Sequence, residues 1–168
     1  MAVATLASTK LRKSIAQDLL EQFGLAYEWP VPLEKLAKAL EYDCFGFSPR
    51  GDGKLEGVSG FVDHEHKAIY INQDQPLTRQ RFTLAHEIAH VVLHAGQAPV
   101  DYRVDMLTAT DPKETDANRF ASDLLMDRLL FARKWFELKG DVSALASYFG
   151  VSEDAARVRI EALKLKRV

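Results

Sequence analysis

The stretch Arg81-Phe-Thr-Leu-Ala-His86-Glu87-Ile-Ala-His90-Val-Val-Leu-His94 sets two histidines one helical turn apart inside an apolar run, with a glutamate directly after the first. On an α-helix His86 and His90 lie about 40° apart around the axis, so both imidazoles reach one metal ion. Glu87 falls inside the same arc, on the flank of the pair, where its carboxylate reaches a water beside the metal. Phe82, Leu84, Ala85, Ile88, Ala89, Val91, Val92 and Leu93 cover nearly the whole circumference, which marks a helix buried on most sides. Burying two imidazoles and a carboxylate without compensation is costly, and a divalent cation satisfies all three. The alternative is a pair of hydrogen-bonded core histidines beside a surface glutamate.

A chain of 168 residues, 47% of them apolar, suits one globular domain or a domain with a small appendage. Its 22 basic and 24 acidic residues leave a net charge of -2, so no protein-wide field attracts nucleic acid or anionic membrane, and direct nucleic-acid binding is not expected. Cys44 is the single cysteine, which excludes an intrachain disulfide and a thiolate zinc cluster, fits a reducing compartment, and reads as a small buried hydrophobe. Met1 to Ser8 lack the basic start and sustained apolar core of a signal peptide, and no stretch has the apolar length to span a bilayer. A cytoplasmic location is expected.

Leu11, Ile15, Leu19 and Phe23 repeat at helical spacing before Gly24, which predicts an amphipathic helix over 10–23. Pro32 opens a second, with Leu33, Leu36, Ala37 and Leu40 as its apolar face. Three short segments rich in aromatic and β-branched residues follow, 42–47, 56–62 and 67–71, and read as a small antiparallel three-stranded sheet. Asp63-His64-Glu65-His66 forms the tip between the second and third, where two turn histidines are expected to be solvated rather than metal-bound. The histidine helix spans 78–95, and Asp111-Pro112 starts another with Ala117, Phe120, Ala121, Leu124 and Leu125 on its apolar face. Residues 97–110 show no clean period, and the remainder is helical, ending in a helix capped by Ser152. The fold class is therefore α+β. Residues 1–140 form the domain that carries the active helices, and 141–168 a C-terminal helical segment packed on it.

A catalytic zinc needs three protein ligands and one open position. His94 is nearest in sequence, but its Cα is about 12 Å along the axis from that of His86, too far to share a metal on a straight helix. It reads instead as a residue that supports a ligand or ends the helix. On the second helix, with Glu114 as origin, the apolar arc runs from Phe120 at about 240° to Leu125 at about 20°. Glu114 lies inside it, whereas Asp116 at about 200° and Asp123 at about 180° fall outside, toward solvent. Asn118, at the rim of that arc, is placed to hydrogen-bond a ligand imidazole. Asp111-Pro112-Lys113-Glu114 also fits a helix start with Glu114 in a capping box, so cap and ligand both remain open for this residue.

Arg79 to His94, followed by Glu114-Thr-Asp-Ala-Asn-Arg-Phe-Ala-Ser-Asp-Leu-Leu-Met126, resembles the ImmA/IrrE family of zinc metallo-endopeptidases. Ile69-Tyr-Ile-Asn72 and Phe149-Gly-Val-Ser152 match two further segments of that family, and the ordered set covers most of the chain. Asp116 stands where the family commonly has a second Glu, and Asp127 where it commonly has Pro; neither touches a proposed ligand. The resemblance implies a zincin-like minimal metalloprotease holding one zinc per chain through His86, His90 and Glu114, with Glu87 as the proton acceptor. It also implies a protein substrate, a helix-turn-helix repressor of a phage, mobile element or stress-response system, encoded by a neighbouring gene. Tyr102 and His94 are candidates for a second oxyanion donor, and a substrate segment that adds to the sheet edge would align its carbonyl.

Two other readings stand beside this one. Residues 145–160 have the outline of a helix-turn-helix and the tail after them is locally basic, but Glu153 and Asp154 sit where a recognition helix meets base edges and phosphates. A module that sequesters a repressor without cutting it fits the same sequence.

Overall fold

The computed structural model describes residues 13–51, 53–95, 100–103 (as backbone) and 111–166. Among these lie seven helices and four strands. Ser14 caps α1 (Ile15–Gln22) by accepting from the Gln17 amide, and Pro32 precedes α2 (Leu33–Ala39). The strands β1 (Asp43–Phe47), β2 (Gly60–Asp63) and β3 (Ala68–Asn72) lead into α3 (Leu77–Leu93). Then come β4 (Val100–Arg103), α4 (Pro112–Leu125), α5 (Arg128–Glu137), α6 (Val142–Phe149) and α7 (Glu153–Ala162).

The α+β architecture is as expected, but the sheet is larger and mixed. Its order is β1-β3-β2-β4, with β1 parallel to β3 and the other pairs antiparallel. Burial explains the order: β3 is buried at four of five positions and takes the centre, whereas β1 is mostly exposed and takes an edge. The second strand starts at Gly60 rather than residue 56 because Gly57 turns the chain at φ +79 and the Val58 amide closes a turn on Leu55. The fourth strand falls in the stretch without a clean period.

Alternation divides the sheet's faces. Val62, Ile69 and Ile71 join the main core beneath α3. On the opposite face Phe45, Tyr70 and Phe61 stack in register across three strands, with ring centroids 5.5 and 4.7 Å apart. The sheet meets α3 closely at Gly60, where an added Cβ would stand 2.5 Å from Thr83 Cγ2 and 2.9 Å from the Tyr70 carbonyl oxygen. Gly60→Ala is therefore expected to cost about 1–3 kcal/mol through overpacking. Calorimetry should show the melting temperature falling by about 2–4 °C for each kcal/mol. An unchanged Tm would mean that β2 can slide off the helix.

The C-terminal helices share that core. Leu145, Phe149, Val151 and Ala156 belong to the same buried cluster, and Phe149 lies 5.1 Å from Phe131 and 5.2 Å from Trp29. Arg81, one turn before the histidine motif, donates to the carbonyls of Gly150 and Val31, both at 3.0 Å, and so ties α3 to the α6–α7 turn. No described helix is long and apolar enough to cross a membrane.

Candidate metal centre

The site is built where α3 packs on α4. Every residue of α3 from Thr83 to Val91 is buried, so its polar members face protein rather than water. His86 and His90 project from consecutive turns with their Nε2 atoms 3.0 Å apart. Glu114, in the first turn of α4, presents one carboxylate oxygen 3.1 Å from His86 Nε2 and the other 3.2 Å from His90 Nε2. Residue exposures are 0% for His86, 1% for Glu87, 3% for His90 and 4% for Glu114.

The choice between cap and ligand geometry for Glu114 follows from its neighbour. Asp111 itself caps α4, its carboxylate accepting from the Lys113 amide at 2.9 Å, while both oxygens of Glu114 face the imidazoles. Asp116, outside the apolar arc, is exposed. The far sides of the imidazoles are held as well. Asn118 Oδ1 lies 2.9 Å from His86 Nδ1, and His94 Nδ1 lies 3.0 Å from His90 Nδ1.

With Nδ1 of His86 donating to Asn118, the neutral ring turns the lone pair of Nε2 inward, toward a second imidazole nitrogen and a carboxylate. Converging lone pairs repel unless a cation lies among them. Two imidazoles and one carboxylate, with ligand atoms all within 4.8 Å of one another, can hold a metal ion, and they match the donor set of open catalytic zinc sites.

The other singled-out residues separate clearly. Tyr102 stands in β4 in register with Phe61; its side chain lies outside the described residues. His94 caps the C-terminus of α3 and reaches the outer nitrogen of His90 without itself joining the three ligands. Asp123 departs from the expected solvent-facing position: it is half-buried and binds Arg159 at 2.7 Å, because α7 covers that side of α4. His64 Nδ1 lies 2.9 Å from the Tyr42 hydroxyl, and His66 Nδ1 lies 2.8 Å from Asp63. The His66 amide and ring hold the Asp63 carboxyl below its usual range, and Asp63 in return raises His66, as suits a hairpin tip. Burial pushes the Cys44 thiol up to about 11, the opposite of a reactive thiolate. What the sequence did not reveal is β4 and the Arg159–Asp123 pair; the alternation Val100-Asp-Tyr-Arg103 was the only signal for the former.

The model of the peptidase M78 family, the IrrE N-terminal-like domain, matches residues 50–161, a span that contains both site helices. No curated protein matches significantly. Among solved structures, a Mycobacterium tuberculosis transcriptional regulator superposes with a TM-score of 0.60 at 15% identity. That match covers 87% of this chain and 46% of the regulator, so the chain spans less than half the length of its neighbour, and the likeness is one of fold. With two thirds of its length matched, and the buried histidine–glutamate cluster inside the match, the chain belongs to the IrrE N-terminal-like family of M78 peptidases.

Proposed function

We propose that the protein is a zinc-dependent endopeptidase that cleaves a regulatory protein, a helix-turn-helix repressor encoded beside it. The observation that carries this reading is the buried trio His86, His90 and Glu114 with Glu87 next to it on α3. A zinc ion bound there supplies Lewis acidity, lowering the pKa of a water and polarising the peptide carbonyl. His86, His90 and Glu114 would hold it, the two imidazoles being oriented by Asn118 and His94 behind them. Glu87 takes the proton of the attacking water and returns it to the departing amine. Its burial keeps competing water away and strengthens its interaction with developing charge. The β4 edge of the sheet is one to which a substrate strand can add, but the register of Tyr102 with Phe61 puts that position on the sheet face opposite α3, which disfavours it as a second oxyanion donor.

The outward face of α7 argues against DNA readout. Glu153 and Asp154 are exposed, Arg157 pairs with Glu153 at 3.1 Å, and Arg159 is turned inward to Asp123 and the Met126 carbonyl. Residues 141–168 are read accordingly as a part of the peptidase unit.

Incubating the zinc-loaded protein with the helix-turn-helix protein of the neighbouring gene tests the proposal. Intact-mass analysis should show cleavage that stops on chelation and returns with zinc. A stable complex with no cut would favour sequestration instead. Chelation should also lower stability, by about 2.7 kcal/mol where free zinc had been 100-fold above its Kd. A Tm indifferent to chelator and to added zinc would count against a metal in this site.

A further inference from the structure

A groove of about 1520 Å³ runs between α1, the end of α3, α4, the start of α5 and the end of α7. Ile15 on one wall is 60% exposed and Leu129 on another 63%, unusual values for large apolar side chains, and buried Phe120 forms part of the lining between them. His94 also lines the groove and its Nδ1 lies 3.0 Å from His90 Nδ1, so the groove ends behind the His90 imidazole, on the side away from its ligand nitrogen.

Its charges fall into two groups. Lys13 binds Glu21 at 2.7 Å and Arg159 binds Asp123 at 2.7 Å, so these charges are neutralised within the fold, whereas Asp127 caps α5 and keeps its charge. Arg119, Arg128 and Lys164 remain, against Asp116 and Asp127, a net charge of +1, and none of the three cations makes an ion pair among the described residues. The rim is therefore positive around an apolar floor.

We propose that this groove docks the substrate protein through an amphipathic helix whose apolar face meets Ile15 and Leu129 and whose flanks carry acidic side chains. The groove walls are helices, whose backbone groups are already paired, so an extended segment would bury amides without partners; a helix satisfies its own. The apolar floor of Ile15, Phe120 and Leu129 offers a nucleic-acid backbone no phosphate donor. The chain's own first twelve residues carry Lys10 and Arg12 and no acid, the wrong sign for this rim. This role deepens the peptidase reading and rests on it only for the fate of the occupant.

The test is fluorescence anisotropy of the zinc-loaded full chain with a labelled helical peptide of about five turns. One version has a leucine face with glutamate flanks, the other the same face with lysine flanks. The glutamate peptide should bind about tenfold or more tightly than the lysine peptide, and less tightly at high salt. Leu129→Asp and Arg128→Glu, both at exposed positions, should each weaken it about tenfold with zinc content unchanged. Equal affinity for the two peptides, or binding untouched by both substitutions, would overturn the proposal. Binding of the glutamate peptide together with a partner protein that is bound but never cut would sink the peptidase reading and keep the groove. Partner cleavage at an unchanged kcat/KM in both variants would do the reverse.

Discussion

Glu87→Gln is expected to keep zinc and the fold while lowering cleavage of the partner by about 10²- to 10⁴-fold, the usual contribution of a positioned general base. The amide has nearly the shape of the carboxylate, and Glu87 sits in the fully buried part of α3, so a change of shape rather than charge would be felt as lost stability. What the substitution removes is the proton acceptor. Because that group acts only as the water attacks, kcat should fall with little change in KM. Retained turnover would assign the base to another residue. If wild type and variant relieve repression equally in cells, proteolysis is not what the protein contributes, and sequestration takes its place.

The site helices were legible because their information is local. His86, Glu87 and His90 are fixed relative to one another by helix geometry, and the apolar arc of α4 placed Glu114 inward and Asp116 outward, as the structure has them. Asp123 shows where that logic stops. A helical arc describes only its own helix, and whether its polar side meets water depends on what packs there; here Arg159, 36 residues later, arrives to pair with it. Sheet order is non-local in the same way. The segments of β1, β2 and β3 could be read from composition, but placing β3 between the other two required knowing that both its faces are covered. A four-residue strand such as β4 is too short for periodicity to detect and is defined by its pairing with β2.

Glu114→Ala should weaken zinc binding by far more than the about 10- to 100-fold typical of losing a residue that only supports a ligand, such as Asn118. Asp116→Ala should leave the affinity nearly unchanged. Glu114 has a carboxylate oxygen within 3.2 Å of each Nε2 atom, whereas Asp116 is exposed two residues later on a different side of α4. Were Glu114 merely a helix cap, its loss would cost about 0.5–2 kcal/mol of stability and leave the zinc in place. Asp111 already fills that role, which is why the expected loss is in the metal rather than in the helix. Zinc affinity by competition with a chromophoric chelator, measured alongside Tm with and without zinc, separates these contributions. With metal the Glu114→Ala protein should lose the stabilisation that zinc gives the wild type, so that its Tm no longer responds to added zinc. An unchanged affinity in Glu114→Ala, or a large loss in Asp116→Ala, would mean that the register of α4 against α3 is wrong and that the third ligand comes from elsewhere.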